Sequence, residues 1–411
     1  MVAANADSLT HAPGTALVLI SAGEASGDRH AAGLMEAAGR LAGDGSRIRF
    51  FGLGGDAMAA AGLDSVAHSD EVAVVGIAEV VRELPRIRRV FRKLLLATET
   101  RRPSLAVLVD FPDFNLRLAR RLRRRGVPVL YYVSPQVWAW RRRRVRTIAR
   151  LVDRMLVLFP FEVDVYRGHE LHVDHVGHPL VDDVPELESA WDRQDGVPEQ
   201  PVLALLPGSR NSEVRRILPP MLRAAGALVG TVGGAGQVRL ILAPTVDQEL
   251  VRGLIVGGPL DADEVDVVRA DRFAAVAGSH LALCASGTAT LEVGLLGTPM
   301  VVVYRVSPLT YAIGRLLVDL PFVSLVNLVL GREVVPELLQ AEADDERMAA
   351  AASRLLSRRS RIDAMRKALA ELRPALGESG ASERAAGCLL EELGFVRAAA
   401  EGRDQEGTDR P

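Results

Sequence analysis

What most limits the fold of this chain is a pattern that runs through it twice: short aliphatic runs alternating with longer amphipathic segments. In the first half, residues 16–22 (ALVLISA), 105–109 (LAVLV), 128–133 (PVLYYV) and 154–158 (RMLVL) read as strands buried on both faces. In the second, residues 202–206, 239–242, 281–284 and 299–303 read the same way. Helical patterns lie between them, over residues 31–41, 116–125 and 220–228 among others. Alternation of this kind builds βαβ units, right-handed crossovers and parallel sheets. At 411 residues the chain is too long for one ordinary domain. Two α/β domains are therefore expected, with a core that must be mainly aliphatic because aromatics make up only 4%.

The stretch 181–201 is polar and acidic, holds three prolines and precedes a new strand, so the domain boundary is placed there. Residues 344–395 are helical in pattern, broken at 377–380. Both tails, residues 1–14 and 398–411, lack periodicity and read as disordered.

Several function classes drop out early. A net charge of −2 makes no case for nucleic acid. Positive charge is nevertheless concentrated, with six arginines in residues 117–125 and six more in 141–150. Such runs are either solvated helix faces or a basic surface for anionic lipid or phosphate. Two isolated cysteines, Cys284 and Cys388, make neither a disulfide framework nor a zinc site, and fit a reducing cytoplasm. The first residues carry no secretion signal. No stretch of about 20 residues stays apolar without a charge, so any membrane attachment is expected to be peripheral.

Open α/β sheets bind ligands beyond the carboxyl ends of their strands. In the second half, one strand runs into Pro207-Gly208-Ser209-Arg210 and another into Ser286-Gly287-Thr288, followed by a helix carrying Glu292. A Ser-Gly-Thr turn opening a helix offers free N–H groups and a positive helix end to a pyrophosphate, although the same turn is an ordinary N-cap. Arg210 supplies the fixed positive charge a diphosphate leaving group needs, and Glu292 is placed to accept from ribose hydroxyls. No Walker loop and no dinucleotide fingerprint follows a strand.

In the first half, one strand delivers Glu24, Asp28 and His30, another delivers Asp110-Phe111-Pro112-Asp113-Phe114-Asn115, and a third delivers residues 134–140. A carboxylate at the end of a buried strand is costly unless paired or used, which marks Asp110 as a general base. Glu24 reads as a positioning residue and Asp28 as a helix cap. His30 is equally open to a structural and a functional role. Residues 52–55 (GLGG) look like a phosphate loop but are better explained as a strand–helix turn.

At this point the chain resembles the bacterial lipid-A-disaccharide synthase family, over roughly residues 18–393. The matching stretches are AGEASGD at 22–28, FGLGGDAM at 51–58, VGIAEV at 75–80, DFPDFN at 110–115 and YVSPQVWAW at 132–140. PGSR at 207–210, SGTATLEVGLLGTP at 286–299, SLVN at 324–327 and GREVVPEL at 331–338 complete the set. Val326 departs from the family, which usually has proline there, and bears on the turn presenting Asn327.

The resemblance implies a GT-B fold, two Rossmann-like domains facing across a cleft. It implies an acceptor and membrane-side domain over residues 15–185 and a UDP-sugar domain over 186–370. The helices of 371–397 would pack back on the first domain. It implies transfer of 2,3-diacylglucosamine from its UDP derivative to 2,3-diacylglucosamine 1-phosphate, with inversion, giving a β-1,6 disaccharide phosphate and UDP for lipid A biosynthesis. No metal and no cofactor are expected. Asp110 and Glu24 would be catalytic, while Arg210, Ser286, Gly287, Thr288, Glu292 and Asn327 would bind the UDP-sugar. The enzyme would sit peripherally on the cytoplasmic face of the inner membrane, through a patch including Trp138, Trp140 and residues 141–144, and form a homodimer. Rival readings are another GT-B UDP-sugar transferase, a UDP-sugar epimerase, or a non-catalytic binder of nucleotide sugar or lipid.

Overall fold

A computed structural model describes residues 15–43, 47–72, 77–137, 144–193, 195–231, 236–307, 311 and 320–395. The two tails, Trp138, Trp140 and Arg141 to Arg143 lie outside the described residues. The chain divides into two compact units. One holds the described residues up to Pro179 and from Ser379 onward, and the other is Leu180–Glu378.

The first unit is built on β1 (Thr15–Ala22), β2 (Arg47–Gly54), β3 (Asp64–His68), β4 (Leu105–Val109), β5 (Val129–Tyr132), β6 (Arg154–Val157) and β7 (His172–His175). They form a seven-stranded sheet in the order β3-β2-β1-β4-β5-β6-β7, and every pairing is parallel. All five residues of β4 are buried. One face of the sheet, with Leu19, Ala106, Leu108 and Tyr131, packs on Phe114, Leu118 and Leu122 of the helix Pro112–Arg123.

The second unit repeats the plan with β8 (Leu203–Leu206), β9 (Val238–Ile241), β10 (Val265–Val268), β11 (Leu281–Ala285), β12 (Met300–Tyr304) and β13 (Glu337–Leu339). Its order is β10-β9-β8-β11-β12-β13, again parallel throughout. Leu203, Leu205, Leu283 and Val301 pack against Val214, Leu218 and Met221 of the helix Asn211–Thr231.

The expected strands are present within a residue or so at either end, but the four edge strands β3, β7, β10 and β13 were not foreseen, nor was β2. β2 explains the GLGG segment. Gly52 lies within the strand, where a Cβ would stand 1.9 Å from the Ile20 carbonyl oxygen of β1. Gly55 opens the short helix Asp56–Ala60 and donates its N–H to Asp28 at 2.6 Å. Asp28 also accepts from Ala57 N at 3.0 Å, so it caps a helix, though not its own. The segment is a strand–helix turn.

The polar stretch 181–201 is anchored within the second unit. Trp191 is 1% exposed, its indole N–H donates to the His280 carbonyl at 2.8 Å, and the Arg359 guanidinium lies 5.1 Å from its ring centroid. At the far end the helices Asp345–Leu356, Arg359–Leu369 and Leu372–Leu376 stay in the second unit. After Gly377 and Gly380, both at positive φ, the helix Ala381–Glu392 packs against the helix Ala25–Leu41 of the first. Arg154 of β6 holds it there, with bonds to Asp174 at 2.7 Å, Glu391 at 2.8 Å and the Cys388 carbonyl at 3.3 Å.

Candidate active site

In each sheet the strand order reverses once, between β1 and β4 in the first and between β8 and β11 in the second. Loops leaving such a pair diverge to opposite faces, which leaves a crevice at the carboxyl ends. The first pair delivers Glu24 and Asp110. The second delivers residues 207–210 and 286–288. Apart from Asn327, which follows β12, the sequence candidates lie on the segments that leave these four strands.

Asp110 follows β4 directly. Its backbone takes a left-handed conformation (φ 45°), and so does that of Phe111 (φ 49°). Val133, just past the neighbouring β5, is a third at φ 67°. Non-glycine residues rarely adopt this region, and a β-branched one is a true outlier. Three of the six such residues described lie along this one sheet edge. Strain of this kind, about 1–3 kcal/mol per residue, persists only where surrounding contacts enforce it, and it gathers at functional sites.

Burial, and then the negative charge of Glu24, push the Asp110 carboxyl up to about 6, against the Phe111 N–H that favours its ionised form. Glu24 is exposed at the N-cap of the helix Ala25–Leu41, with no capping bond from its side chain. Gly23 before it has no room for a side chain, because a Cβ would sit 2.3 Å from the Phe111 ring. The two loops are thus in contact. Asp113 does not cap its helix, whose N-cap is Phe111, and instead pairs with Arg144 at 2.9 Å. The His30 ring lies 6.1 Å from that of His178 and 6.3 Å from that of Tyr132. Burial and Arg29 lower His30 to about 4, and burial and His30 lower His178 to about 3, so both rings are neutral near pH 7.

In the second unit, Gly208 (φ 109°) makes the turn after β8. Arg210 is half exposed and meets Glu213 at 3.4 Å. Glu213, missed in the sequence, also accepts from Ser209 N at 3.3 Å. An exposed pair at that distance contributes at most about 1 kcal/mol and does not tie Arg210 down. Beside it, Ser286 is held by its N–H to the Val303 carbonyl and its hydroxyl to the Val323 carbonyl, both at 2.9 Å. Gly287 (φ 150°) is the N-cap of the helix Thr288–Leu295, with open space where a Cβ would be. Glu292 is largely buried one turn in, 4.0 Å from Arg272.

Asn327 lies on the helix Leu325–Leu330. It is fully buried, and its amide nitrogen donates to the Val335 carbonyl and to Glu337, both at 2.8 Å. Its oxygen accepts from Val334 N at 2.7 Å and Val335 N at 3.0 Å. With both ends engaged, Asn327 braces residues 334–337. Val326 uses its N–H on Ser324 Oγ at 3.2 Å, a bond proline lacks.

Comparison with known proteins decides the family. The family model for lipid-A-disaccharide synthetase matches residues 18–392. The chain belongs to this family. A lipid-A-disaccharide synthase of Myxococcus xanthus is 48% identical over 379 residues, covering 92% of this chain and 97% of that one. One of Syntrophus aciditrophicus is 45% identical, covering 90% and 96%. Among solved structures, a Staphylococcus aureus MnaA–UDP complex aligns with a TM-score of 0.61 at 11% identity, covering 92% and 97%. The calicheamicin glycosyltransferase CalG4 aligns at 0.58 and 16%, covering 92% and 98%. At such identities the structures establish the fold alone, which is GT-B. The activity is that of a lipid-A-disaccharide synthase, a glycosyltransferase of lipid A biosynthesis acting on a UDP-sugar and an acceptor.

Proposed function

We propose that Asp110 is the general base of an inverting transfer from UDP-2,3-diacylglucosamine to 2,3-diacylglucosamine 1-phosphate. The Asp110 carboxylate takes the proton of the acceptor's 6-hydroxyl as that oxygen attacks the donor's anomeric carbon. The bond to the UDP oxygen breaks, and UDP leaves with its electron pair. The observation that carries the assignment is the strained, carboxyl-end placement of Asp110 beside Glu24, with a carboxyl raised to about 6. A base poised near working pH transfers protons best. The test is to incubate the protein with both acylated substrates and measure UDP and the disaccharide phosphate. A UDP-sugar epimerase would interconvert the donor and form no disaccharide.

Arg210 and the helix end at Ser286, Gly287 and Thr288 are assigned to the departing diphosphate, and Glu292 to the ribose. Fixed donors aimed at developing charge supply stabilisation there. Arg210→Ala is expected to lower turnover roughly ten- to a hundredfold, the equivalent of one charge-assisted bond, with little change in melting temperature. Glu292→Ala should chiefly weaken UDP binding by calorimetry. Full activity in the first variant, or unchanged UDP affinity in the second, removes that residue from the site.

Among the described residues no helix is long and apolar enough to cross a membrane. Acylated substrates require access to lipid, and we assign the enzyme to the cytoplasmic face of the inner membrane as a peripheral protein. Part of the expected basic patch is already committed, since Arg144 pairs with Asp113 and Arg123 with Asp153. Arg146 and Arg150, one turn apart on the helix Arg144–Leu151, line a hollow of about 630 Å³ with Arg123, His169 and the acids Asp153 and Glu170. Replacing both with glutamine should weaken binding to anionic vesicles, read by sedimentation, about thirtyfold, at about 1 kcal/mol per charge near the surface. Unchanged sedimentation would leave these arginines as a solvated face.

A further inference from the structure

The left-handed turn at Asp110 and Phe111 is held from outside by two buried side chains. Asn115, fully buried one turn into the following helix, donates its amide to three carbonyls: Asp110 at 2.8 Å, Val109 at 3.1 Å and Ser21 at 3.2 Å. Its oxygen accepts from Ser21 Oγ at 2.8 Å. Tyr131, also fully buried and on β5, donates its hydroxyl to the same Asp110 carbonyl at 2.6 Å. The Asp110 N–H donates to the Tyr132 carbonyl at 2.9 Å. Every polar atom of the Asp110 backbone is therefore fixed. The bonds tie together the ends of β1, β4 and β5.

A carbonyl taking two side-chain donors has more than folding needs, since one bond satisfies it. The surplus falls on the residue whose backbone is strained. Extended geometry would carry the Asp110 side chain along the strand's alternation, and the left-handed turn redirects it. Whatever holds the turn therefore sets where the carboxylate is carried.

We propose that Asn115 and Tyr131 are positioning residues for the transfer reaction, clamping the Asp110 carbonyl so that the strained turn presents the carboxylate in one orientation. This rests on Asp110 being the base. Neither side chain touches substrate; both act through Asp110. The charged and titratable groups around the turn are Glu24 from the loop after β1, Asp113 with its partner Arg144, Tyr166, and Tyr131 itself.

Tyr131→Phe keeps the ring and removes one donor, so the protein should fold with a near-normal melting curve. Its kcat is expected to fall several-fold to about tenfold, the kinetic equivalent of one neutral hydrogen bond. KM for the UDP-sugar should stay unchanged, because that substrate is assigned to the second unit. Asn115→Ala removes more bonds and should lose both stability and kcat. The decisive measurement puts Tyr131→Phe into the Asp110→Asn background. Acting through the carboxylate, the substitution has nothing left to misplace there, and the double variant should turn over like Asp110→Asn alone. A multiplied loss in the double variant, or full kcat in Tyr131→Phe, overturns the proposal. Near-normal turnover of Asp110→Asn on its own would bring down the general-base assignment instead, and that variant shows it independently of Tyr131.

Discussion

Asp110→Asn is expected to lower turnover about 10²–10⁴-fold, the usual loss when a general base is removed. Asparagine keeps the shape and tolerates the left-handed backbone, so melting temperature and UDP affinity should stay close to wild type. The wild-type enzyme should show a matching pH dependence. Only the ionised carboxylate accepts a proton, so kcat/KM rises as pH climbs through about 6 and levels off above. Removing the neighbouring charge with Glu24→Gln makes ionisation easier and should move that limb to lower pH. An unshifted limb would mean that Glu24 does not act on Asp110 in solution. Near-normal turnover of Asp110→Asn would move the base to Glu24 or His30, and lost UDP affinity would make Asp110 a structural residue.

The second large effect is on stability. The Arg154 side chain is 6% exposed, and although burial opposes its charge, Asp174 and Glu391 hold its pKa above the usual value. Arg154→Met keeps the stem and removes the charge, leaving Asp174, Glu391 and Glu392 without their common partner. Breaking a buried pair costs about 3–5 kcal/mol, and the lower end applies because the acids reach water. At roughly 2–4 °C per kcal/mol for a unit of this size, melting of the first unit should fall by about 6–12 °C. The helix Ala381–Glu392 should also become open to proteolysis. A melting curve that overlays the wild type would show that its other contacts, the buried Ala385, Ala386, Leu389 and Leu390 with the Arg40–Glu383 pair and the Arg384 bond to the Val176 carbonyl, suffice to seat it.

The central strands were legible because burial on both faces makes them continuous apolar runs, as in LAVLV of β4. The edge strands were not: DSVAH, HVDH, VDVV and ELL are short and half solvated, and their polar residues erase that signal. β2 was hidden by its glycines: the purpose of Gly52, room for the Ile20 carbonyl, exists only once β1 lies beside it, and Gly54 makes room for Met58 and Leu63. The candidate residues could be named from their place at strand ends. Their partners could not, since Asp28 serves a helix 27 residues away and Asn115 bonds across 94 residues to Ser21. Asn327 shows the limit most plainly, because the motif tells nothing of its burial or of the four bonds by which it braces residues 334–337.

The return of the helix Ala381–Glu392 has a consequence for synthesis. The second unit is one uninterrupted stretch, Leu180–Glu378, and can complete its core as soon as that stretch has left the ribosome. The first unit, although translated earlier, lacks its last helix until some 200 further residues have been added at about 5–20 residues per second. For tens of seconds its helix Ala25–Leu41 lacks that neighbour, and Arg154 has only Asp174 of its three acidic partners. Order of translation and order of completion are reversed in this chain, and a message cut short near its end would yield a finished second unit attached to an unfinished first.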